Sequence, residues 1–501
     1  MTQVKVNKPL RVAHIGGGAA AVSFVGSVLA RAESFAGGVE ICIYEPGNLA
    51  HGRAFGPDLD CALMNLPSES LSILSHDDRN FLRWLEGGAE RSGWAQGVAN
   101  LGDSFVPRRI FGKYLGESFR KWRESATSRG ADVSVRAETV TGISSTSGGT
   151  FLLRSDRAIT EHSHVVLGIG PGSPADPFRL KDAPGFHADP YPLNEVLSRI
   201  DPHAPVLILG TGLTAVDITI GLLHLGHQGP LVMVSRNGII PQVRVMRENR
   251  PLAYITEARI RAHVESAGEL DFGVLLELLR EELKSDGTDL ATEFSWFHSS
   301  VSERDHLRHQ VENPTRNPLQ SILAGISIDL GNRIRLCLSD SAARFMTSQT
   351  QRLKSLQSPM PWQTGLALLA AMDSGQLSVV SRVSGVHREA GAFRAETGDG
   401  VRRVHQVIDA TRTSPAATMG RSRSLVSSLN SNALATWDGH AGLRVEPGTS
   451  RVILPSGAPH PRLHAVGEIT AGKTYYASSL PAVNRGADAV VEAIAHGLRR
   501  P

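Results

Sequence analysis

The sequence predicts an α/β protein: two dinucleotide-binding (Rossmann-like) domains, the first discontinuous, the second carrying a helical insertion. Three observations lead there. The stretch RVAHIGGGAAAVSFVGSVLARAE, followed by VEICIYEP, reads as strand, glycine turn, helix and strand. The same succession returns from Pro205 as PVLILGTGLTAVDITIGLLHLGHQGPLVMVSRNG. The length of 501 residues, 41% of them hydrophobic, suits two large domains or three ordinary ones.

Taken in order, residues 11–15 form a buried strand and 19–33 an apolar helix of small residues, with a second strand from Val39. Residues 105–124, FVPRRIFGKYLGESFRKWRE, read as a loop and an amphipathic helix. Residues 131–170 read as a small meander followed by a core strand. Proline and glycine in PGSPADPF, 171–178, break any regular element. After the second strand–turn–helix unit, 252–290 reads as mostly helical, 301–330 as polar then amphipathic, and 350–377 as helical. Strands return in LSVVSRVSGVHREAGAFRAE and VHQVIDATRTSP, and again at 462–470, before a terminal helix with a 3.6-residue apolar period.

Composition narrows the function classes. Lys and Arg total 52 against 49 acids, a net charge of +3, and no dense basic block marks a nucleic-acid partner. Cys42, Cys61 and Cys337 are the only cysteines and none lies in a CxxC, which argues against a local redox dithiol and a thiolate metal cluster. No metal is expected, because the scattered histidines, including His162/His164 and His306/His309, supply too few ligands. No run of 18 apolar residues suggests a membrane span, and no secretory segment precedes the first strand. The expectation is a soluble, cytoplasmic protein.

The first motif, Gly16-Gly17-Gly18-Ala19-Ala20-Ala21, has the form GxGxxA. Gly16 permits the tight turn, Gly18 lets backbone approach a pyrophosphate, and Ala21 lets helix and sheet pack closely. The helix N-terminus offers free N–H groups and positive dipole to phosphates. Glu45, 24 residues after Ala21, ends the next strand, where a carboxylate can accept two ribose hydroxyls. The second motif, Gly210-Thr211-Gly212-Leu213-Thr214-Ala215, is followed by Ser235 and Arg236 in place of an acid. A hydroxyl and a guanidinium attract a 2′-phosphate that a carboxylate would repel, which favours NADPH over NADH. The alternative is that Arg236 is a solvated surface arginine. An acidic first site and a basic second one suggest FAD in the first and NADPH in the second.

These motifs, with AHIGGGAAAVSF, MNLPSESLSILSHDDRNFLRWL, FVPRRIFGKYL and VSRNGIIP, resemble the two-dinucleotide-fold flavoproteins. The chain is most similar in style to the bacterial FAD-NAD(P)-binding flavoprotein family, and it resembles class B flavin monooxygenases and amine N-hydroxylases. The resemblance implies that the Gly467-Glu468 pair, standing where such families have Gly-Asp, contacts the FAD ribityl or pyrophosphate. It also implies that the helix from about Pro481 points at the flavin. LGIGPG, with Gly168 and Gly170, and IDATRTSP, with Asp409, Ala410 and Thr411, resemble the family's domain crossovers. The implied domains are 1–200 and 411–501 for FAD and 201–410 for NADPH, with a helical insertion at about 245–375.

Within that frame, Arg53, Asn65 and Asn484 are the candidates for catalytic contacts. An arginine near flavin offsets charge on the reduced ring, and an asparagine can hydrogen-bond substrate or ring atoms. His51 and Gly52 flank Arg53. Ser68, Ser70 and Ser72 read as caps and turns. Lys473, Tyr475, Tyr476, Ser478, Ser479 and Arg485 surround the last helix, where Ser479 is either a contact or an N-cap. The resemblance implies a monooxygenase that N-hydroxylates a primary amine of an amino acid or related small molecule through a flavin C4a-hydroperoxide, with molecular oxygen as co-substrate. The alternative is an NADPH-dependent flavin oxidoreductase that does not activate oxygen. Related folds are often homo-oligomers.

Overall fold

The computed structural model describes residues 9–499 except 36, 93–97, 99, 173, 175, 246–250, 299–300, 412–421, 439–441 and 473–474. The chain opens with β1 (Leu10–Ile15), α1 (Ala19–Ala30), β2 (Val39–Tyr44), α2 (Asn80–Ser92), α3 (Arg108–Ser125) and β3 (Ala131–Arg136). Strands β4 (Val140–Ser145), β5 (Phe151–Ser155) and β6 (Ile159–His162) lead to β7 (His164–Leu167). After β8 (Phe186–His187) and α4 (Leu193–Leu197), the opening pattern recurs as β9 (Val206–Leu209), α5 (Leu213–His224) and β10 (Leu231–Ser235). Helices α6 (Glu257–Ala267), α7 (Phe272–Ser285), α8 (Leu290–His298), α9 (Glu303–Glu312), α10 (Pro318–Gly325), α11 (Ile328–Cys337), α12 (Asp340–Ser348) and α13 (Thr350–Gln357) follow. Then come α14 (Trp362–Asp373), β11 (Leu377–Ser381), β12 (Gly385–Glu389), β13 (Ala392–Thr397), β14 (Gly400–Val404) and β15 (Gln406–Asp409). The chain ends with α15 (Arg423–Ser431), β16 (Arg451–Ile453), β17 (Pro459–Ala465) and α16 (Leu480–Arg499). The fold is α/β, with two Rossmann-like units and a helical insertion.

The first unit comprises Met1–Asp58, Leu66–Ser173 and Thr413–Pro501. Its sheet has the order β16-β17-β7-β1-β2-β3. All neighbours are parallel except β16 with β17. Ala13 and Ile15 of β1 face a core with Phe151 and Leu153 of the β4–β6 meander and Leu425 and Leu429 of α15. The opposite face is covered by α1 and α16, so β1 from Val12 and all of β7 are buried, as in a sheet covered on both faces. Gly26 lets α1 pack tightly: a Cβ there would sit 2.7 Å from Leu74 and Trp122. Residues 131–136 were expected to begin a meander. They form the parallel edge strand β3 instead, in register with β2, and their alternating burial is that of an edge strand covered on one face.

The second unit comprises Leu59–Asn65 and Pro174–Arg412. Its sheet is wholly parallel, in the order β11-β10-β9-β15-β8. Because β8 pairs with β15, residues 174–200, expected in the first unit, belong here. Near the end of this unit, the Asp409 carboxylate accepts from Asp176 N (3.0 Å), Thr411 N (2.8 Å) and Thr411 Oγ1 (2.6 Å). Helix α14 was expected inside the insertion. Its Leu368, Leu369 and Met372 instead join Leu231 and Met233 in the sheet core, which makes it the crossover helix between β10 and β11. The inserted helices keep a core of their own around Ile260, Leu278, Leu283, Leu319 and Ile322. Side chains of Thr256, Asp271, Ser302, Asn317, Ser327 and Ser339 cap six of them. Among the described residues, no helix is long and apolar enough to cross a membrane.

Candidate functional site

In the first unit the fingerprint sits at the C-terminal edge of the sheet, where open α/β sheets bind ligands. Gly16 has φ +102°, and a Cβ on it would lie 2.3 Å from Gly168 O at the end of β7. The turn therefore requires glycine and presses against the neighbouring strand. Gly17 N donates to Glu45 Oε2 at 2.9 Å, and Gly47 N and Asn48 N donate to Oε1 at 3.1 and 3.0 Å. Three backbone donors thus orient the Glu45 carboxylate beside the turn. Gly18 is the N-cap of α1 and has ordinary negative φ; no side chain caps the helix. A Cβ on Gly18 would meet only Gly52 backbone, at 3.5 Å or more. The third glycine is thus not demanded by packing, and it leaves a cradle above an uncapped helix end. Ala21 is wholly buried under the sheet, as close helix packing requires.

His14, one turn of strand before the motif, is fully buried. Its Nδ1 hydrogen-bonds Gly16 O at 2.7 Å, and burial pushes its pKa down to about 4. The imidazole braces the turn from behind. The sequence places residues 11–15 in a buried strand, but it does not reveal this brace, which a histidine two residues before the first glycine signals only weakly. Gly52, beside Arg53, packs on Gly18, so the half-buried Arg53 lies next to the fingerprint. Gly112 of α3 fits against the same segment: a Cβ there would sit 1.7 Å from Phe55 O. His51 is half-buried, and burial lowers its pKa.

Asn484, in the first turns of α16, is buried. Its Nδ2 donates to Ser72 O at 2.7 Å, and its Oδ1 is a buried acceptor without a hydrogen-bond partner among the described residues. Helices α1 and α16 run side by side in the same sense, since Arg31 pairs with Asp488 and Glu492, each at 3.0 Å, and Ser27 hydrogen-bonds Asp488. Gly467, with φ +83°, closes β17, and Glu468 follows it buried. Ser479 Oγ accepts from Ala482 N at 3.3 Å, the N-cap alternative. Ser68 and Ser72 serve local turns through Ser104 O, Leu74 O and Asp77 O. Asn65 falls in the second unit, where its carbonyl accepts from Arg244 Nε at 2.6 Å. Lys473 lies outside the described residues.

The second fingerprint repeats the first. Gly210 has φ +119°, and a Cβ would sit 2.9 Å from Ala410 O on the neighbouring strand. Gly212 caps α5 without a side-chain hydrogen bond, and a Cβ on it would meet nothing within 4 Å. Ala215 is wholly buried. Ser235 proves to be spent internally. Its hydroxyl contacts Thr211 Oγ1 (3.0 Å), Gly238 N (3.0 Å) and Gln351 Nε2 (2.9 Å). Gln351, on α13, also reaches Thr211 Oγ1 and Ile239 O, each at 3.2 Å. Arg236 is exposed.

Both edges thus offer the groups a dinucleotide needs: an uncapped helix end, an open glycine, and a polar or charged residue ending the second strand. A family model described as FAD-NAD(P)-binding matches residues 13–172. No curated protein sequence matches the chain. Among solved structures, the chain is similar to the reduced form of ornithine hydroxylase from Pseudomonas aeruginosa, at 14% identity and a TM-score of 0.58, covering 98% of this chain and 100% of that one. It is similar to the cadaverine monooxygenase of desferrioxamine biosynthesis from Erwinia amylovora, solved with FAD, at 14% identity and a TM-score of 0.57, covering 97% and 95%. It is also similar to a bacillithiol disulfide reductase from Bacillus cereus, at 11% identity and a TM-score of 0.51, covering 98% and 99%. At such identities these likenesses carry the fold.

Proposed function

We propose that the chain is an FAD- and NADPH-dependent monooxygenase that hydroxylates the nitrogen of a small primary amine. The observation that carries the reading is the paired geometry of the two fingerprints. Each has a glycine at an uncapped helix end where a Cβ would meet no close contact (ordinary contact with Gly52 for Gly18, nothing within 4 Å for Gly212), and they differ in charge, Glu45 at one and Arg236 at the other. The likeness to an ornithine hydroxylase and a cadaverine monooxygenase supports an amine substrate and oxygen as acceptor.

FAD, when bound, supplies two-electron redox chemistry and oxygen activation. The residues of this chain hold and orient the reactants. The α1 N-terminus and Gly18 would hold the FAD pyrophosphate, and Glu45, fixed by three backbone donors, would hold the adenosine ribose. Asn484 Oδ1 supplies a buried acceptor without a donor among the described residues, which fits a cofactor N–H. Arg53 supplies positive charge beside the same turn. The α5 N-terminus and Gly212 would hold the NADPH pyrophosphate. The reaction balances as amine, O₂, NADPH and one proton giving hydroxylamine, water and NADP⁺. The amine must be held neutral, because an ammonium has no lone pair to accept oxygen.

The test is NADPH and oxygen consumption by the FAD-loaded protein across free amino acids and diamines, with hydroxylamine and peroxide measured. Amine-dependent hydroxylamine formation is expected. Flavin reduction with peroxide as the sole oxygen product for every amine would overturn the oxygen-transfer step and leave the non-oxygenating oxidoreductase. The likeness to a disulfide reductase raises a thiol route, but Cys42 lies in β2 of the first unit and Cys61 and Cys337 belong to the second. Replacing all three with serine should preserve NADPH-to-flavin transfer in the folded protein. Loss of that transfer would reinstate a thiol relay.

A further inference from the structure

The corner that follows the second fingerprint carries two arginines where the motif names one. Strands β10 and β11 are parallel, with Ser235 opposite Ser381. The next residues, Arg236 and Arg382, therefore leave adjacent strand ends side by side, at the strand spacing of about 4.8 Å. Arg382 N donates to Ser235 O at 2.9 Å and to Arg236 O at 3.3 Å, so the second arginine's backbone clasps the first. Both side chains are exposed.

The corner is rigid and strained. Arg382 has φ +59°, a left-handed conformation that a non-glycine residue rarely adopts. Gly238 folds the loop after β10 back onto β11, where a Cβ would come within 3.3 Å of Ser381 N. Gly398 presses from the meander, its N donating to Ser381 O at 2.9 Å. In that meander, the neighbouring Arg394 and Arg402 are paired with Glu396 and Asp399. Among the described residues, no carboxylate pairs with Arg236 or Arg382. Two arginines that leave adjacent strand ends, with no carboxylate partner among the described residues, favour an anion at this corner.

We infer that Arg382 is the second cation that receives the 2′-phosphate of NADPH, beside Arg236; the Ser235 hydroxyl already accepts from Thr211 Oγ1, Gly238 N and Gln351 Nε2 and carries no charge. Two planar guanidiniums can hold a phosphate dianion with charge-assisted, paired hydrogen bonds. The inference rests on NADPH being the nucleotide of the second unit, and it names a residue that no fingerprint position marks.

The experiment is calorimetric titration of the full-length FAD-loaded protein with NADP⁺, NAD⁺ and 2′,5′-ADP. Wild type is compared with Arg382→Gly, Arg382→Lys, Arg236→Ala and the Arg236→Ala/Arg382→Gly pair. Glycine suits the left-handed backbone, so Arg382→Gly removes the charge while keeping the turn. Arg382→Gly should lower the NADP⁺-to-NAD⁺ affinity ratio about tenfold, weaken 2′,5′-ADP binding similarly, and flatten the salt dependence of both. Arg382→Lys should recover part of the ratio, and the pair should lose more than either single variant. A wild-type ratio in Arg382→Gly, alongside a lost ratio in Arg236→Ala, overturns the inference and leaves the NADPH assignment standing. Equal weakening of NADP⁺ and NAD⁺ also overturns it, since that marks a structural role. Wild-type protein that prefers NAD⁺ overturns the NADPH assignment itself.

Discussion

Gly16 and Gly18 stand two residues apart, yet a methyl group added at each meets opposite surroundings. On Gly16 it would collide with Gly168 O at 2.3 Å, on backbone at φ +102°; on Gly18 it would touch only Gly52, at 3.5 Å. Gly16→Ala should therefore cost the fold itself, seen as insoluble or unfolded protein. Gly18→Val should fold, with wild-type far-UV circular dichroism, and purify without flavin, because its side chain fills the pyrophosphate approach rather than the core. Full FAD content in folded Gly18→Val would remove the first unit as the flavin site. At the second fingerprint, Arg236→Ala should raise KM for NADPH about tenfold or more and move KM for NADH far less, the loss of one ionic hydrogen bond being worth about 1.5–3 kcal/mol. Stopped-flow flavin reduction with both nucleotides reads this directly. Equal losses with both would mean that Arg236 supports the fold. Gly16 and Glu45 were legible in the sequence because a positive φ and a carboxylate at a strand end are local demands written in residue type. Ser235 was legible as a position but not as a role. Its hydroxyl is consumed by Gln351, 116 residues away, and no spacing rule reaches that far.

Helix termini mark the same distinction one level up. The inserted helices α6, α7, α9, α10, α11 and α12 close their N-termini with their own side chains, whereas α1 and α5 leave theirs open after Gly18 and Gly212. A self-capped helix satisfies its first N–H groups internally, and an uncapped one directs them at whatever lies in front. The helical character of the insertion was legible from its periodicity. That α14 belongs to the sheet and α13 to the nucleotide corner was not, because both facts depend on contacts made after the chain has returned. Helix α13 contributes Gln351, which binds Thr211 Oγ1, Ser235 Oγ and Ile239 O. Gln351→Leu should destabilise the second unit by about 1–3 kcal/mol, through three polar groups losing a donor. It should also weaken NADP⁺ binding several-fold, because Thr211 and Ser235 would no longer be held in place. Urea unfolding followed by tryptophan fluorescence, together with NADP⁺ titration, tests both parts. Unchanged nucleotide affinity in a destabilised variant would confine Gln351 to a structural role.

Across the whole molecule, the two units share one plan: the order β3-β2-β1-β7-β17 in the first corresponds to β11-β10-β9-β15-β8 in the second, each with a three-stranded meander before its fourth strand. Among the described residues, the first unit also carries four buried histidines. His14, His162 and His464 have their pKa pushed down to about 4, and His164 to about 3, burial being the largest cause in each case. Arg11 and Arg136 face His162 and lower it further, opposed by Glu161; His464, Arg462, His460 and Arg451 act on His164; Arg451 and His460 act on His464, against a hydrogen bond from its Nδ1 to Thr449 O. In the unfolded chain all four take up protons below about pH 6.5. Between about pH 6.5 and 4 the unfolded state therefore binds more protons than the folded one, and stability falls as pH falls through that window. Each histidine contributes up to about 1.4 kcal/mol per pH unit there and nothing above it. The first unit should thus show a flat melting temperature from pH 7 to 8 and a steep loss from about 6.5 downward, read as flavin release during thermal unfolding. His464 is wholly buried, and its Nε2 has no hydrogen-bond partner among the described residues, so His464→Gln removes a titrating group at a site that already tolerates an unmet polar atom. That variant should start less stable at pH 7.5 and lose stability with a slope about one quarter shallower between pH 6.5 and 4.5. A slope equal to wild type would show that His464 is protonated in the folded protein over this range and that the acid sensitivity arises elsewhere.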